Sequence, residues 1–250
     1  MNVYDFDRTL FPGDSSMHFW AYCKNKYPLI WLHFPAGITK MALYKLKLFY
    51  WGDVMEKFFS FMKYIPSDER EKIIEEFWDK KVNKIYPWYK DKHKDDDIII
   101  SATPYFIINP IARRLGIKHV IATDMDINTY KINGIDCTGI QKVLRFREEY
   151  PEGVIDEFYS DSYSDMPLAE IAKKAFMISK RGEIEDWDFE NKRGQKKSDR
   201  ITRVYKKHAR VKALRMLRKQ KRAQIKLEKK ERKQRELRDF FKNNKEREEQ

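Results

Sequence analysis

The stretch NVYDFDRT, residues 2–9, decides the fold of this chain. We predict a short strand over Asn2–Phe6, and the acids Asp5 and Asp7 stand where that strand ends. The residues PGD, 12–14, then form a turn. In open parallel sheets, ligands bind at the carboxyl ends of the strands. The beginning of the chain therefore predicts a sheet with a polar site at its edge.

Short apolar runs and helical patterns alternate from residue 95 onward. Strands are predicted over Asp97–Ser101, His119–Ala122, Val154–Tyr159 and Ala175–Ile178. Helices are predicted over 105–115, 140–149 and 166–174, and a small hairpin over 123–139. This alternation indicates the α/β class, with a Rossmann-like parallel sheet that helices cover on both faces.

Residues 14–92 predict an all-helical cap, inserted after the first strand. Asp14 or Ser15, Asp53 and Ser67 are the residues expected to begin its helices. The segment is rich in aromatic residues and lysines. Aromatic residues of this kind either form the hydrophobic core of the cap or lie at a membrane interface. Packing in a core is the commoner of these two roles.

The net charge of +13 is concentrated at the C-terminus. Residues 191–250 hold 25 Lys and Arg against 8 Asp and Glu, a net charge of +17, which leaves −4 for residues 1–190. The positive net charge of the chain therefore comes from residues 191–250, whereas residues 1–190 are slightly acidic. We divide the chain into a core of residues 1–13 and 93–190, a helical cap of residues 14–92, and a basic tail of residues 191–250.

The tail has weak helical spacing of apolar residues, at Ile201, Val204, Val211, Leu214 and Leu217. This spacing favours a helix that frays outward, and a disordered basic arm is the alternative. Either form could bind an anionic membrane surface or nucleic acid through phosphate groups. The tail contains no nucleic-acid-binding motif and too few aromatics for a base-stacking platform.

Cysteine content and hydropathy give an expected location. Cys23 and Cys137 are the only cysteines, which excludes a disulfide scaffold and a cysteine-rich metal site. Asp5, Asp7 and Arg8 fall where a secretory signal would have its apolar run. We expect a cytoplasmic protein, with peripheral attachment at the inner membrane face as the alternative.

Polar side chains follow three of the predicted strands and converge on one sheet edge. They are four acids and one hydroxyl: Asp5, Asp7, Ser101, Asp161 and Asp165. One lysine, Lys142, opens the helix before the third of these strands and joins them at the same edge. Clustered carboxylates repel one another unless a cation lies among them, and oxygen ligands favour Mg²⁺. A lysine nearby would neutralise a phosphate group. Of the two neighbouring acids Asp5 and Asp7, one could attack phosphorus while the other exchanges protons.

Four motifs in this order resemble those of the haloacid-dehalogenase-like (HAD) phosphatases. DFDRT, residues 5–9, is similar to the first motif, and IIISAT, which contains Ser101, is similar to the second. Lys142 resembles the lysine of the third motif, and YSDSYSD, residues 159–165, resembles the fourth. The resemblance covers residues 1 to about 185 and leaves the tail outside.

The resemblance implies a magnesium-dependent phosphatase mechanism. Asp5 would be the nucleophile and form a phosphoaspartyl intermediate, and Asp7 would be the general acid and base. Mg²⁺ would be held by Asp5, by the backbone carbonyl of Asp7 and by Asp161. Asp165 would keep these metal ligands in position. The cap would close over the substrate.

The remaining roles also follow from the resemblance. Ser101 and Lys142 would hold the phosphoryl group, and Thr9 would orient the first loop. Arg8 stands where a small residue is common and could reach the rim of the site, and His18 is the one histidine expected to face substrate. A receiver-type signalling domain has similar residues at a sheet edge but lacks the long insert.

The expected substrate is a small or lipid phosphate monoester. Phosphoserine phosphatases (subfamily IB) have a cap at the same position, and they must bind both the ammonium and the carboxylate of their substrate. The insert of this chain has no Glu between Leu10 and Met55 and only one arginine, Arg70, so phosphoserine is not the first choice. YSDSYSDMPL, followed by SKRGE at residues 179–183, also resembles bacterial C-type phosphatidylglycerophosphatases. Two alternatives stay open: phosphoryl transfer to a second alcohol, and a binding protein that has lost catalysis and docks through its tail.

Overall fold

The computed structural model describes residues 1–33, 51–211 and 214 of the chain. The predictions for residues 34–50 of the cap, and for most of the tail including Leu217, lie outside the described residues. Two compact units are present, residues 1–205 and residues 206–250. The second unit is described only at residues 206–211 and 214, which are helical.

Six strands form one sheet within the described residues. They are β1 (Asn2–Tyr4), β2 (Ile98–Pro104), β3 (His119–Thr123), β4 (Ile155–Ser160), β5 (Ala172–Ile178) and β6 (Ile184–Asp186). Their order is β3-β2-β1-β4-β5-β6, with β1 to β5 parallel and β6 antiparallel to β5. The predicted α/β class with a mainly parallel, Rossmann-like sheet is confirmed.

The first strand lies in the middle of the sheet. Val3 of β1 is in register with Ile98 of β2 and with Phe158 of β4, and all three side chains are fully buried. Apolar runs of this kind are typical of parallel strands covered on both faces. Because β1 is central, Asp5 and Asp7 leave the sheet between the ends of β2 and β4.

The C-terminal part of the sheet differs from its prediction. The helix expected over 166–174 ends at Ala169, and β5 begins at Ala172 rather than Ala175. Lys174 of β5 is in register with Glu157 of β4, so pairing between strands extends β5 into a segment with little apolar signal. The edge strand β6 is exposed throughout, and its sequence gives no periodic apolar signal.

Helices fill the connections between the strands. Four described helices lie between β1 and β2: α1 (Ser15–Lys26), α2 (Trp51–Phe59), α3 (Arg70–Lys81) and α4 (Trp88–Lys92). Beyond β2 lie α5 (Tyr105–Arg114), α6 (Ile140–Glu149), α7 (Met166–Ala169) and the helical residues 192–205. Asp14 caps α1 by accepting a hydrogen bond from the Met17 N–H at 3.0 Å, as its position predicts. The hairpin expected over 123–139 is reduced to one antiparallel bridge, between Met125 and Ile132.

The described part of the insert and the sheet share one hydrophobic core. Trp78 of α3 is fully buried, packs edge-on against Phe6 and Phe11, and donates its indole N–H to the Ile107 carbonyl at 2.7 Å. Phe77 of the same helix is also fully buried. These aromatics therefore serve packing rather than an exposed surface.

The C-terminal boundary of the first unit lies later than the sequence suggested. Residues 191–205 were assigned to the basic tail, yet they belong to the compact unit that ends at Tyr205. Tyr205 is only 3% exposed. None of the described helices combines the length and the apolar character that crossing a bilayer requires.

Candidate active site

Asp5 stands at the end of β1 and is almost completely buried. Its backbone N–H donates to the Tyr159 carbonyl of β4 at 2.9 Å, which continues the pairing of the two strands. Its side chain is among those that line a cavity of about 440 Å³. The sheet itself therefore fixes the position of this carboxylate.

Lys142, in the first turn of α6, lies between two acids. Its Nζ donates to Oδ1 of Asp5 at 2.8 Å and to Oδ2 of Asp165 at 2.7 Å, and the residue is 2% exposed. Gly139 enters the helix with φ +56°, a conformation that side chains disfavour. Burial lowers the pKa of Lys142, but the charges of Asp165 and Asp5 outweigh it and the pKa is raised overall. The lysine is therefore charged.

The acids of the site are short of compensating positive charge. Burial raises the pKa of Asp5 to about 8 against the opposing charge of Lys142, and the charges of Asp165 and Asp161 raise it further. The pKa of Asp161 is also raised, first by burial and then by Asp165. A group of carboxylates whose pKa values are raised by burial and by one another favours the binding of a cation.

Asp7 is held by two donors from different parts of the chain. The Ser15 N–H at the beginning of α1 donates to its Oδ1 at 2.5 Å, and the Thr103 hydroxyl at the end of β2 donates to its Oδ2 at 2.6 Å. Burial raises the pKa of Asp7 to about 6, and these two hydrogen bonds oppose that shift. The carboxyl group is therefore fixed in place and can exchange a proton near neutral pH.

Hydroxyl groups connect the loop after β4 to the rest of the site. The Thr9 hydroxyl accepts a hydrogen bond from the Asp161 N–H at 3.1 Å, so the first loop and the loop after β4 are joined. Ser160 donates to Oδ2 of Asp165 at 2.9 Å. The Ser160 hydroxyl thus adds a hydrogen bond to the acid that holds Lys142.

The cavity has a polar wall and an apolar wall. Ser101, 1% exposed, lies on the polar wall beside Asp5, Asp7, Lys142, Asp161 and Asp165, and its Oγ accepts the Thr103 N–H at 3.2 Å. The insert contributes the polar Asp14 and Ser16 and, as the apolar wall, Met17, Trp51, Val54, Met55, Phe58 and Phe59. The six polar residues that the sequence places at the sheet edge therefore line one cavity.

Comparison with known proteins identifies the family. A model of the haloacid dehalogenase-like hydrolases matches residues 3–170. The chain belongs to this family. A probable phosphatase of Mycobacterium tuberculosis (strain ATCC 25618 / H37Rv) is 35% identical over 91 residues, 34% of this chain and 32% of that protein. The chain thus spans about a third of the length of the curated relative it matches.

Solved structures agree on the fold. A protein of unknown function from Bordetella pertussis Tohama I has a TM-score of 0.56 and 23% identity, covering 70% of this chain and 87% of its own. A phosphoserine phosphohydrolase-like protein from Francisella tularensis subsp. tularensis SCHU S4 has a TM-score of 0.45 and 19% identity, covering 70% and 86%. The first likeness supports the fold alone, and the second is too distant to carry an argument.

The oxygen atoms at the sheet edge fit the metal that this hydrolase family generally uses. Among the described residues, no three His, Cys, Asp or Glu side chains stand together as a metal-binding group. The set implied by the family needs only two carboxylates, Asp5 and Asp161, with the backbone carbonyl of Asp7. Mg²⁺ accepts few protein oxygens and completes its coordination with water and phosphate. Burial and the charge of Asp165 raise the pKa values of both Asp5 and Asp161, and a bound cation would stabilise the two carboxylates in their charged form.

Arg8 and His18, both expected to meet substrate, lie in different settings. Arg8 lines the cavity, is exposed, takes φ +58° and lies 4.0 Å from Asp14. His18 is not among the lining residues. Its ring packs edge-on against Phe11 and lies against Gly13, where a Cβ would be 2.9 Å from its Nε2. The ring of His18 therefore packs beside the first loop, and its contact with substrate stays a prediction.

Several residues at the cavity were not singled out by sequence reasoning. Thr103 follows the second motif closely but was not given a role, although its hydroxyl reaches Asp7. The apolar wall was signalled only by the aromatic richness of the insert. Lys197 also lines the cavity, and it lies in the segment that the sequence assigned to the tail.

Proposed function

We propose that this hydrolase is a magnesium-dependent phosphomonoesterase that acts through a phosphoaspartyl intermediate on Asp5. The observation that carries the proposal is the buried Lys142, bonded to both Asp5 and Asp165 at a cavity where Asp7 is separately held. The similarity to a probable phosphatase, over about a third of each chain, supports the same reaction class.

Asp5 and Asp7 divide the chemistry in two steps. The Asp5 carboxylate attacks phosphorus, an O–P bond forms, and the bond from phosphorus to the alcohol oxygen breaks while protonated Asp7 donates its proton to that oxygen. In the second step Asp7 takes a proton from water, which attacks phosphorus and releases phosphate and the Asp5 carboxylate. A pKa of about 6 for Asp7 suits both transfers near neutral pH.

The other polar residues hold the phosphoryl group and the metal. Lys142 and Ser101 neutralise and hydrogen-bond its oxygens, and Asp165 keeps the Lys142 ammonium in position. Asp5, Asp161 and the Asp7 carbonyl would hold Mg²⁺. Bound there, Mg²⁺ would offset the negative charge shared by the carboxylates and the phosphate.

The apolar wall favours a phosphate ester of an apolar alcohol, either small or a lipid. The described insert residues at the cavity carry no cationic side chain. Arg70 donates to the Ile65 carbonyl and to Asn128 instead of lining the cavity, so it is not placed to bind the carboxylate of phosphoserine. Water is the proposed acceptor in the second step, and transfer to a second alcohol is the alternative.

Phosphate release from an aryl phosphate tests the proposal. Wild-type protein is expected to release phosphate with Mg²⁺ and to lose that activity in EDTA, because the clustered carboxylates then lack their cation. Phosphoserine is expected to be a poorer substrate than the aryl ester or a lipid phosphate monoester in micelles. Equal rates with and without chelator would count against the metal, and no release from any of the three esters would count against the reaction class.

Thr103→Val is expected to reduce kcat about tenfold to a hundredfold with little change in KM, because Asp7 loses a positioning hydrogen bond. That bond stabilises the charged carboxylate, so its loss raises the pKa of Asp7 and moves the corresponding limb of the pH–rate profile to higher pH. Thr103→Ser keeps a hydroxyl and should recover most of the rate. An unshifted profile in Thr103→Val would contradict this role.

A further inference from the structure

The helical residues 192–205 lie beyond the family match, which ends at residue 170, yet they pack on the site. At one end, Tyr205 donates its hydroxyl to Oδ2 of Asp136 at 2.6 Å, and both residues are buried. Ile201 packs so closely on Gly139 that a Cβ there would lie 3.0 Å from its methyl group. Asp136 and Gly139 belong to the loop that leads into the helix bearing Lys142, so this end of the helix is attached to that loop.

The other end of the same helix is attached to the loop after β4. The Gly194 N–H donates to Oδ1 of Asn191 at 3.0 Å, in the first turn of the helix. Gly194 lies directly against Tyr163, since a Cβ at this position would be 2.5 Å from the ring. Tyr163 stands between Asp161 and Asp165 in the chain. The helix therefore contacts two of the loops that deliver charged residues to the cavity.

Lys197 projects from this helix to the cavity, which it lines together with Ile201. Its Nζ donates to the Ser162 hydroxyl at 2.7 Å, directly beside Asp161. An ammonium group has three N–H donors, so donors beyond the one on Ser162 are available for a further acceptor. Lys197 is exposed, whereas Lys142, which also lines the cavity, is buried between Asp5 and Asp165.

We propose that Lys197 is a substrate-binding residue, which donates to an anionic oxygen of the phosphate ester at the mouth of the cavity. The helix of residues 192–205 then forms a third wall of the active site, and it lies outside residues 3–170, which the family model matches. This inference rests on the proposed phosphatase function. An exposed lysine acts as a point charge, and it therefore contributes to binding more than to the chemical step.

The test compares Lys197→Gln with Lys196→Gln, a neighbouring exposed lysine that does not line the cavity. Three quantities are measured in the full chain with Mg²⁺: the KM and kcat for an aryl phosphate, and the Kd of inorganic phosphate by calorimetry. Lys197→Gln is expected to raise both KM and Kd about twofold to fivefold with kcat nearly unchanged, because it removes one exposed charge contact. Lys196→Gln is expected to match wild type, and Lys197→Arg to keep most of the affinity.

The outcomes separate this inference from the function on which it rests. If wild type hydrolyses the ester and Lys197→Gln has the same KM and Kd as Lys196→Gln, Lys197 does not bind substrate and the inference is overturned. If wild type binds phosphate without turnover, the proposed function fails, and the Kd of the two variants still decides the role of Lys197. If wild type neither turns over the ester nor binds phosphate, both are overturned.

Discussion

Asp5→Asn is expected to reduce turnover of an aryl phosphate by on the order of 10⁴-fold or more, as removal of a nucleophile does in other enzymes with covalent intermediates. The amide cannot form the phosphoaspartyl bond. Burial and two acidic neighbours already disfavour a charge on Asp5, so the amide should leave the fold intact. Phosphate release, with thermal unfolding as a check on folding, measures both effects.

Asp165→Asn is the matched comparison for Asp5→Asn. It makes the same chemical change at the other acid bonded to Lys142 but removes no nucleophile. Loss of a supporting partner of this kind is expected to cost about tenfold to a hundredfold in rate. A phosphorylated protein should be trapped by mass spectrometry in wild type and in Asp165→Asn, and not in Asp5→Asn. Equal residual rates in the two variants would remove Asp5 as the nucleophile.

Lys142→Met is expected to lower the free energy of unfolding by about 3–5 kcal/mol and to abolish turnover, because it leaves buried carboxylates without their partner. Methionine has a similar length and keeps the packing, so the loss reports on charge rather than on a cavity. Urea denaturation gives the free energy of unfolding. Adding Asp165→Asn to the variant should restore part of the lost stability, since it removes one of the two unpaired acids.

Lys173→Met provides the control for Lys142→Met. Its Nζ lies 2.8 Å from Oδ1 of Asp156, the same distance as Lys142 to Asp5, but its side chain is 66% exposed. An exposed pair contributes roughly 0–1 kcal/mol. Losses of the same size at Lys142 and Lys173 would show that the buried arrangement has no special role in stability.

Local sequence signals are sufficient for the presence of the five parallel strands and for three of the candidate site residues. Asp5 and Asp7 follow one apolar run, and Ser101 ends the run Ile98–Ile100. Parallel strands end at a common edge, so the proximity of these side chains follows once the strands are recognised. Lys142 by itself carries no such signal, because a lysine in the first turn of a helix is ordinarily solvated, and only its place in the set of residues at the sheet edge points to it.

The C-terminal boundary could not be read from composition. The lysines and arginines of residues 192–205 resemble those of the rest of the tail, and this segment was therefore grouped with it. Its attachment depends on contacts with distant parts of the chain, such as Tyr205 with Asp136. A truncation meant to remove only the tail should therefore end after Tyr205, since an earlier cut at Trp187 would also remove Lys197.

The sequence by itself determined the α/β class, the parallel sheet and the edge at which the acids collect, because strand and helix periodicity are local properties of the chain. Only the tertiary structure decided which lysine side chains reach the cavity. Lys142 and Asp5 are 137 residues apart along the chain and bond at 2.8 Å, and Lys197 reaches the same cavity. The placement of His18 outside it was also decided by packing. Such contacts depend on how elements dock, and periodicity encodes only which face of each element is buried.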